Sequence, residues 1–257
     1  MNDFEKQFLE VKKENRCAFM PFVVAGDPNF KASVKIATRL GQIADFLEIG
    51  FPYSDPLADG PTIQAADNRA LQAGVTTAKV FKLIKNIRKQ ISIPITVLVY
   101  ANLVLQYGAN KFYRDARRAG INGVLIPDAP AEEAAPFVRA AKQHGICPIF
   151  LVTQTTTKVR LKKILKYAQG YLYLVSVLGV TGSRKTFSQE TTGLIKRVKT
   201  QTRLPLAVGF GISQPRQAKE FYRAGADGAI VGSAIIDMIA KHQPAGKIIN
   251  FAKKFLI

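Results

Sequence analysis

Eight short, apolar, β-branched runs, each followed by an amphipathic stretch, recur from one end of this 257-residue chain to the other. They lie at 19–24, 46–49, 95–100, 123–126, 148–152, 172–176, 206–208 and 228–231. Most successive runs start one strand, one loop and one three-turn helix apart, so each reads as a βα unit. Near-continuous apolar runs suit parallel strands that are covered on both faces. Eight such units in a chain of this length predict an α/β fold with one (β/α)8 TIM barrel over 1–257. An extra N-terminal helix is expected ahead of the first strand, and long loops are expected after strands 2 and 6. The gap after the second run is about twice the usual one. It holds a Pro-rich loop and helical material on both sides of Gly74, and a loop that long between barrel elements is usually functional.

An internal echo supports the barrel. RAGINGVLIPD (118–128) and RAGADGAIVGS (223–233) both read as a helix end, a glycine turn and an apolar strand. In each the helix closes at a glycine, Gly120 or Gly225, as a left-handed cap residue would close it. The two segments lie four βα units apart, which fits a barrel of two similar halves.

Composition narrows the chemistry. No apolar stretch approaches the roughly twenty residues of a membrane span, and MNDFEKQFLEVKKENRC has no apolar signal core. These features predict a soluble, cytoplasmic chain, with Cys17 and Cys147 as reduced structural thiols. With only His144 and His242 besides, both expected at the surface, a Ser-His-Asp hydrolase or a zinc site is nearly excluded. No cluster of acids and histidines suggests a metal. The formal charge is +19, from 37 Lys and Arg against 18 Asp and Glu. In 79–89, Val80, Leu83, Ile84 and Ile87 recur at helical spacing, while Lys82, Lys85 and Lys89 fall on the other face. Residues 158–166 repeat the pattern, with Leu161, Ile164 and Leu165 inside and Lys162, Lys163 and Lys166 outside. A nucleic-acid site more often gathers its cations in one patch with interleaved aromatics, so the charge reads as solvated helix faces.

In such barrels the active site lies at the C-terminal ends of the strands. The second run, FLEI, carries Glu48 inside an apolar segment, and by alternation Glu48 points with Phe46, opposite to Leu47 and Ile49. Burial raises a carboxyl pKa by disfavouring the charged form, which tunes a glutamate for proton exchange near neutrality. The alternative is a glutamate paired with a cation in the barrel mouth. GFPYSDPLADGPTI follows, with Asp55 and Asp59 in one loop; Asp59 is either a second acid in another protonation state or a turn former. The seventh and eighth runs end in VGFGIS and IVGSAII, where Gly209, Gly211 and Gly232 let backbone approach an anion. Ser233 opens an apolar helix whose N-terminal N–H groups would face that anion. LGVTGSRKTF after the sixth run adds Thr181 and Gly182. These loops together predict a phosphorylated substrate. No lysine ends a strand, where a Schiff-base aldolase would hold one.

LEIGFPYSDPLADGPTIQAA resembles the signature segment of tryptophan synthase α chains. PFVVAGDP, YANLVLQYG, LIPDAPAEEAAPF, VTGSR, GFGIS and GAIVGSAI resemble that family in the same order, so the resemblance spans about 4–240. It implies a cofactor-free retro-aldol cleavage of indole-3-glycerol phosphate into indole and glyceraldehyde 3-phosphate. Glu48 would shuttle a proton between indole C3 and the adjacent glycerol hydroxyl. Asp59 would bind the indole N–H and stabilise positive charge on the ring, and Thr181 would hold that aspartate when the sixth loop closes. Phe22, Leu98 and Tyr173 would wall the indole pocket. Gly182, Gly211, Gly232 and Ser233 would hold the phosphate, and Phe210 joins the substrate-binding set.

The resemblance also implies a partner, the pyridoxal-phosphate β subunit, in an α2β2 heterotetramer. Pro52, Tyr53, Ser54, Asp55, Pro56 and Asn102 match the docking region, and pyridoxal phosphate is expected only in the partner. Three features depart from the family pattern: Tyr53 where phenylalanine is common, residues 154–157 after the fifth strand, and the strong basic charge. Three other readings stay open at this point. They are a stand-alone lyase releasing free indole, another phosphate-binding barrel such as an isomerase or synthase, and a polyanion-binding barrel without catalysis.

Overall fold

A computed structural model describes residues 1–175, 184–209 and 211–256. The eight strands are β1 (Ala18–Val24), β2 (Leu47–Gly50), β3 (Ile95–Leu98), β4 (Gly123–Leu125), β5 (Cys147–Val152), β6 (Leu172–Val175), β7 (Leu206–Gly209) and β8 (Gly228–Val231). All pair in parallel, in sequence order, and β8 closes on β1. All eight expected strands are present. β3 stops at Leu98 rather than at Tyr100, because residues 99–100 turn into a helix that the sequence reading did not assign.

Helices alternate with the strands. They are α1 (Asp3–Lys13), α2 (Phe30–Gly41), α3 (Pro61–Gln72), α4 (Thr77–Arg88), α5 (Ala101–Tyr107), α6 (Ala109–Ala119), α7 (Ala135–Gln143), α8 (Lys158–Tyr167), α9 (Arg184–Lys199), α10 (Pro215–Arg223), α11 (Ser233–Ala240) and α12 (Ala245–Ala252). The extra material after β2 is α3 and α4, separated at Gly74, as its composition implied. Gly120 and Gly225 both take positive φ, +89° and +108°, so the two echoed segments do turn at glycine after their helices.

The N-terminal helix is fixed by a capping box: the Asn2 side chain accepts from Glu5 N–H and the Glu5 carboxylate accepts from Asn2 N–H. Its apolar face closes the bottom of the barrel. Phe4 stacks on Phe46, with ring centres 5.9 Å apart, and Phe8 lies 4.4 Å from the same ring; both also meet Tyr171. Phe4 further packs over Gly123 and Gly170, and Phe8 over Gly228, all at the N-terminal ends of strands.

The outer helices carry the charge as expected. Val80, Leu83, Ile84 and Ile87 of α4 are buried, while Lys82, Lys85 and Lys89 are exposed. Cys17 and Cys147 are free and buried. His144 is half-buried, with Nε2 2.6 Å from Asn110 Oδ1, and His242 is exposed. Among the described residues no helix is long and apolar enough to cross a membrane, and no group of His, Cys, Asp or Glu could hold a metal ion.

Candidate active site

Glu48 sits in the middle of β2, in register with Phe22 of β1 and Thr96 of β3. It is fully buried, and among the described residues neither carboxyl oxygen has a hydrogen-bond partner. A bare charge in such a place costs several kcal/mol. Holding the proton at pH 7, against a solution value of 4.5, costs only about 3 kcal/mol. The neutral acid therefore wins. Burial, reinforced by the charge of Asp59, pushes the Glu48 carboxyl up to about 8. The cation partner that the sequence left open for Glu48 is absent among the described residues.

Asp59 lies in the loop between β2 and α3, and its carboxylate faces Glu48 closely enough to raise it. Burial pushes Asp59 up as well, but a hydrogen bond from the Tyr100 hydroxyl to Oδ2, at 2.7 Å, opposes the shift. The same hydroxyl accepts from Ala58 N–H at 3.0 Å, and the Asp59 carbonyl accepts from Gln64 Nε2 at 2.8 Å. The turn is thus held from both sides, and the Asp59 carboxylate is bonded to Tyr100, a residue of another part of the barrel, and not to the backbone of its own loop. The two acids differ in setting: Glu48 is unpartnered among the described residues and rigid on a strand, while Asp59 is on a loop, where burial raises it and the Tyr100 hydrogen bond opposes that rise.

Phe22, Leu98 and Tyr173 are buried around this pair. Phe22 packs on Gly50 and Gly232, and Tyr173 on Gly209, where a Cβ would collide with its hydroxyl. Tyr173 also lies within the electrostatic reach of both Glu48 and Asp59. Leu98 of β3 is in register with Gly50, two residues beyond Glu48 on β2. Gly232 caps α11, and its carbonyl accepts from Ile235 and Ile236 N–H. Ser233 is exposed at the first position of that helix, where the leading N–H groups have no intrahelical acceptor. Gly211 is exposed with φ +71°, and its carbonyl accepts from Gln217 Nε2. Thr181, Gly182 and Phe210 lie outside the described residues.

The loop after β2 divides by burial. Pro52 and Pro56 turn inward and are buried, while Tyr53 is half-buried and Ser54 and Asp55 are exposed, joined by a 2.6 Å hydrogen bond. Asn102, exposed on α5, donates to the Tyr53 hydroxyl at 3.3 Å. Three residues that sequence reasoning passed over belong to this region. Tyr100 holds Asp59. Leu57 stands 93% exposed on the same loop. Asp67 is buried on α3, where desolvation first and then the charges of Asp59 and Asp27 push its carboxyl up to about 8. The sequence signal for Leu57 was an apolar residue inside a Pro, Asp and Gly loop.

Comparison with known proteins concerns the chain as a whole. The family model described as tryptophan synthase alpha chain matches residues 8–254. A tryptophan synthase alpha chain from Methanothermobacter thermautotrophicus is 51% identical, over 89% of this chain and 85% of that one. One from Methanoregula boonei is 48% identical, over 90% of this chain and 87% of that one. Among solved structures, Mycobacterium tuberculosis tryptophan synthase superposes with a TM-score of 0.92 at 33% identity, covering 99% of this chain and 97% of that one. A chain of the tryptophan synthase α2β2 complex from Pyrococcus furiosus gives 0.88 at 33% identity, covering 93% and 97%.

Proposed function

This chain belongs to the tryptophan synthase alpha chain family, and from that premise we propose that Glu48 and Asp59 are the two acids of its reaction. The reaction is that of a lyase: indole-3-glycerol phosphate is cleaved to indole and glyceraldehyde 3-phosphate, and the partner is the tryptophan synthase β subunit. The observation that carries the residue assignment is the fully buried, unpartnered Glu48 carboxyl facing Asp59.

Glu48 starts as the neutral acid and protonates indole C3. The positive charge that develops at the ring nitrogen is met by the Asp59 carboxylate. The Glu48 anion then takes the proton of the neighbouring glycerol hydroxyl, the carbon–carbon bond breaks, and its electrons return to the ring. One proton thus passes from oxygen to carbon, and no cofactor in this chain is required. Pyridoxal phosphate belongs to the β subunit, in an α2β2 assembly. Phe22, Leu98 and Tyr173 enclose the indole, Thr181 holds Asp59, and Phe210 belongs to the substrate-binding set. Gly182, Gly211, Gly232 and Ser233 bind the phosphate, with the α11 N-terminus supplying N–H donors. The chain acts as one barrel domain over 1–257, in the cytoplasm, with its thiols reduced.

Gly232→Val checks the phosphate assignment. A Cβ there meets Phe22 Cδ1 at 3.1 Å, and the branch crowds the helix N-terminus. Inhibition by glycerol phosphates is expected to weaken about tenfold or more, the loss of one or two charge-assisted hydrogen bonds. An unchanged inhibition constant removes Gly232 from the site.

Tyr53, Ser54, Asp55 and Asn102 form the docking face, Leu57 joins it, and Pro52 and Pro56, expected there from the sequence, are buried beneath it and set the course of the loop. If the partner covers this leucine, a glutamate in its place buries a charge with no partner, which is costly. Leu57→Glu is therefore expected to weaken β-subunit binding by at least about tenfold, measured by titration calorimetry. Unaltered binding puts Leu57 outside the interface.

The direct test is indole release from indole-3-glycerol phosphate, with and without the β subunit and serine. Cleavage that rises sharply with the partner supports a subunit working in a complex, while fast cleavage indifferent to it favours a stand-alone lyase. No cleavage under either condition refutes the assignment.

A further inference from the structure

Tyr100 occupies a position that the catalytic pair alone does not explain. It follows β3, is 3% exposed, and places its hydroxyl between two groups of one loop: it donates to Asp59 Oδ2 at 2.7 Å and accepts from Ala58 N–H at 3.0 Å. Its ring is held in turn. Tyr53 stacks on it with centres 4.7 Å apart and planes 21° from parallel, and the Tyr53 hydroxyl accepts from Asn102 at 3.3 Å. An unbroken series of contacts therefore runs from the surface of the loop after β2 to the carboxylate facing Glu48.

We propose that Tyr100 is the positioning residue of Asp59, and that the Tyr53 ring stacked on it makes the docking loop part of the catalytic geometry. This rests on the reading of Asp59 as the second acid. Three consequences of the contacts support it. A hydroxyl that donates to a carboxylate stabilises its charged form, which is the form the developing positive charge needs. A hydroxyl that also accepts a backbone N–H is fixed in direction, so Asp59 is presented in one orientation. Finally, Tyr53 limits the ring to one position, because an offset stack is lost if the ring rotates or slides. Among the described residues the titratable groups that face Asp59 are Glu48 of β2, Asp67 of α3, Tyr100 itself and Tyr173 of β6. Among them Tyr100 is the one that hydrogen-bonds its carboxylate.

The test is the pH dependence of kcat and KM for indole release, in wild type, Tyr100→Phe, Tyr53→Leu, Tyr53→Phe and Asp59→Asn. Tyr100→Phe is expected to lower kcat about tenfold or more, the worth of a hydrogen bond to a charged group, with a smaller change in KM. Its acid limb is expected at higher pH than in wild type, because the group that favoured ionised Asp59 is gone. Tyr53→Leu is expected to move the limb in the same direction by less, and Tyr53→Phe, which keeps the stack, by less again. Carboxyl 13C shifts of Asp59, followed in Tyr53→Leu, read the same displacement without relying on turnover. Unmoved acid limbs in Tyr100→Phe and Tyr53→Leu, with Asp59→Asn impaired, overturn the positioning role alone. A wild-type rate in Asp59→Asn overturns the assignment on which it rests.

Discussion

Glu48→Gln is expected to abolish indole release while leaving the barrel folded and the substrate bound. Glutamine keeps the shape of the side chain but can neither deliver a proton to carbon nor take one from the hydroxyl. General acid–base catalysis by one group is worth about 10²–10⁴-fold, and here the same carboxyl serves both transfers, so the loss belongs at the upper end or beyond. Substrate affinity, read as the Kd of an unreactive glycerol phosphate analogue, should stay near wild type. A parallel loss of binding would make Glu48 a structural residue. Stability gives an independent check. The folded chain holds the Glu48 proton up to about pH 8, whereas the unfolded chain releases it near 4.5. Stability therefore falls as pH rises between these values, and Glu48→Gln should abolish that decline and melt higher than wild type at pH 8. Activity follows the same proton: with Glu48 needed as the acid, wild-type kcat should fall as pH rises through about 8.

Asp59→Asn is expected to lower kcat by about a hundredfold or more, in the range found when one aimed group is removed from a developing charge. An asparagine oxygen can still accept from the indole N–H, so binding should change far less than turnover. What disappears is the negative charge opposite the ring as it becomes cationic. The loss should be smaller than that of Glu48→Gln, because proton transfer by Glu48 continues. Wild-type turnover in Asp59→Asn would return that residue to a role in the turn, although Gln64, Tyr100 and the backbone already hold it.

Much of this could be read from the chain before any coordinates. The strands were legible because parallel strands covered on both faces leave nearly unbroken apolar runs, and Glu48 stood out as a charge in one of them. Alternation set it on the face of Phe46, opposite to Leu47 and Ile49. Asp59 was visible as an acid in a restricted loop but not distinguishable there from a turn former, because the group its carboxylate meets, the Tyr100 hydroxyl, lies far off in the chain. Tyr100 was not legible. Its role depends on a partner 41 residues away and on a chain direction that changes just after β3, and local pattern encodes neither. Pro52 and Pro56 face inward for a related reason: sequence marks the loop as rigid but does not say which side of it is packed. Asp67 looked like any polar residue of a helix, since helical spacing alone does not distinguish a face on solvent from one on a neighbouring loop.

The aromatic plug of Phe4, Phe8, Phe46 and Tyr171 gives the barrel a solid floor. With that end closed among the described residues, the doorway of the proposed reaction is the opposite rim, for which substrate arrival, aldehyde departure and indole departure would compete. The loop carrying Tyr53 and Leu57 is part of that doorway. A protein seated on it governs traffic as well as chemistry: whatever it leaves open decides in which order the two products go, and into which compartment indole is delivered.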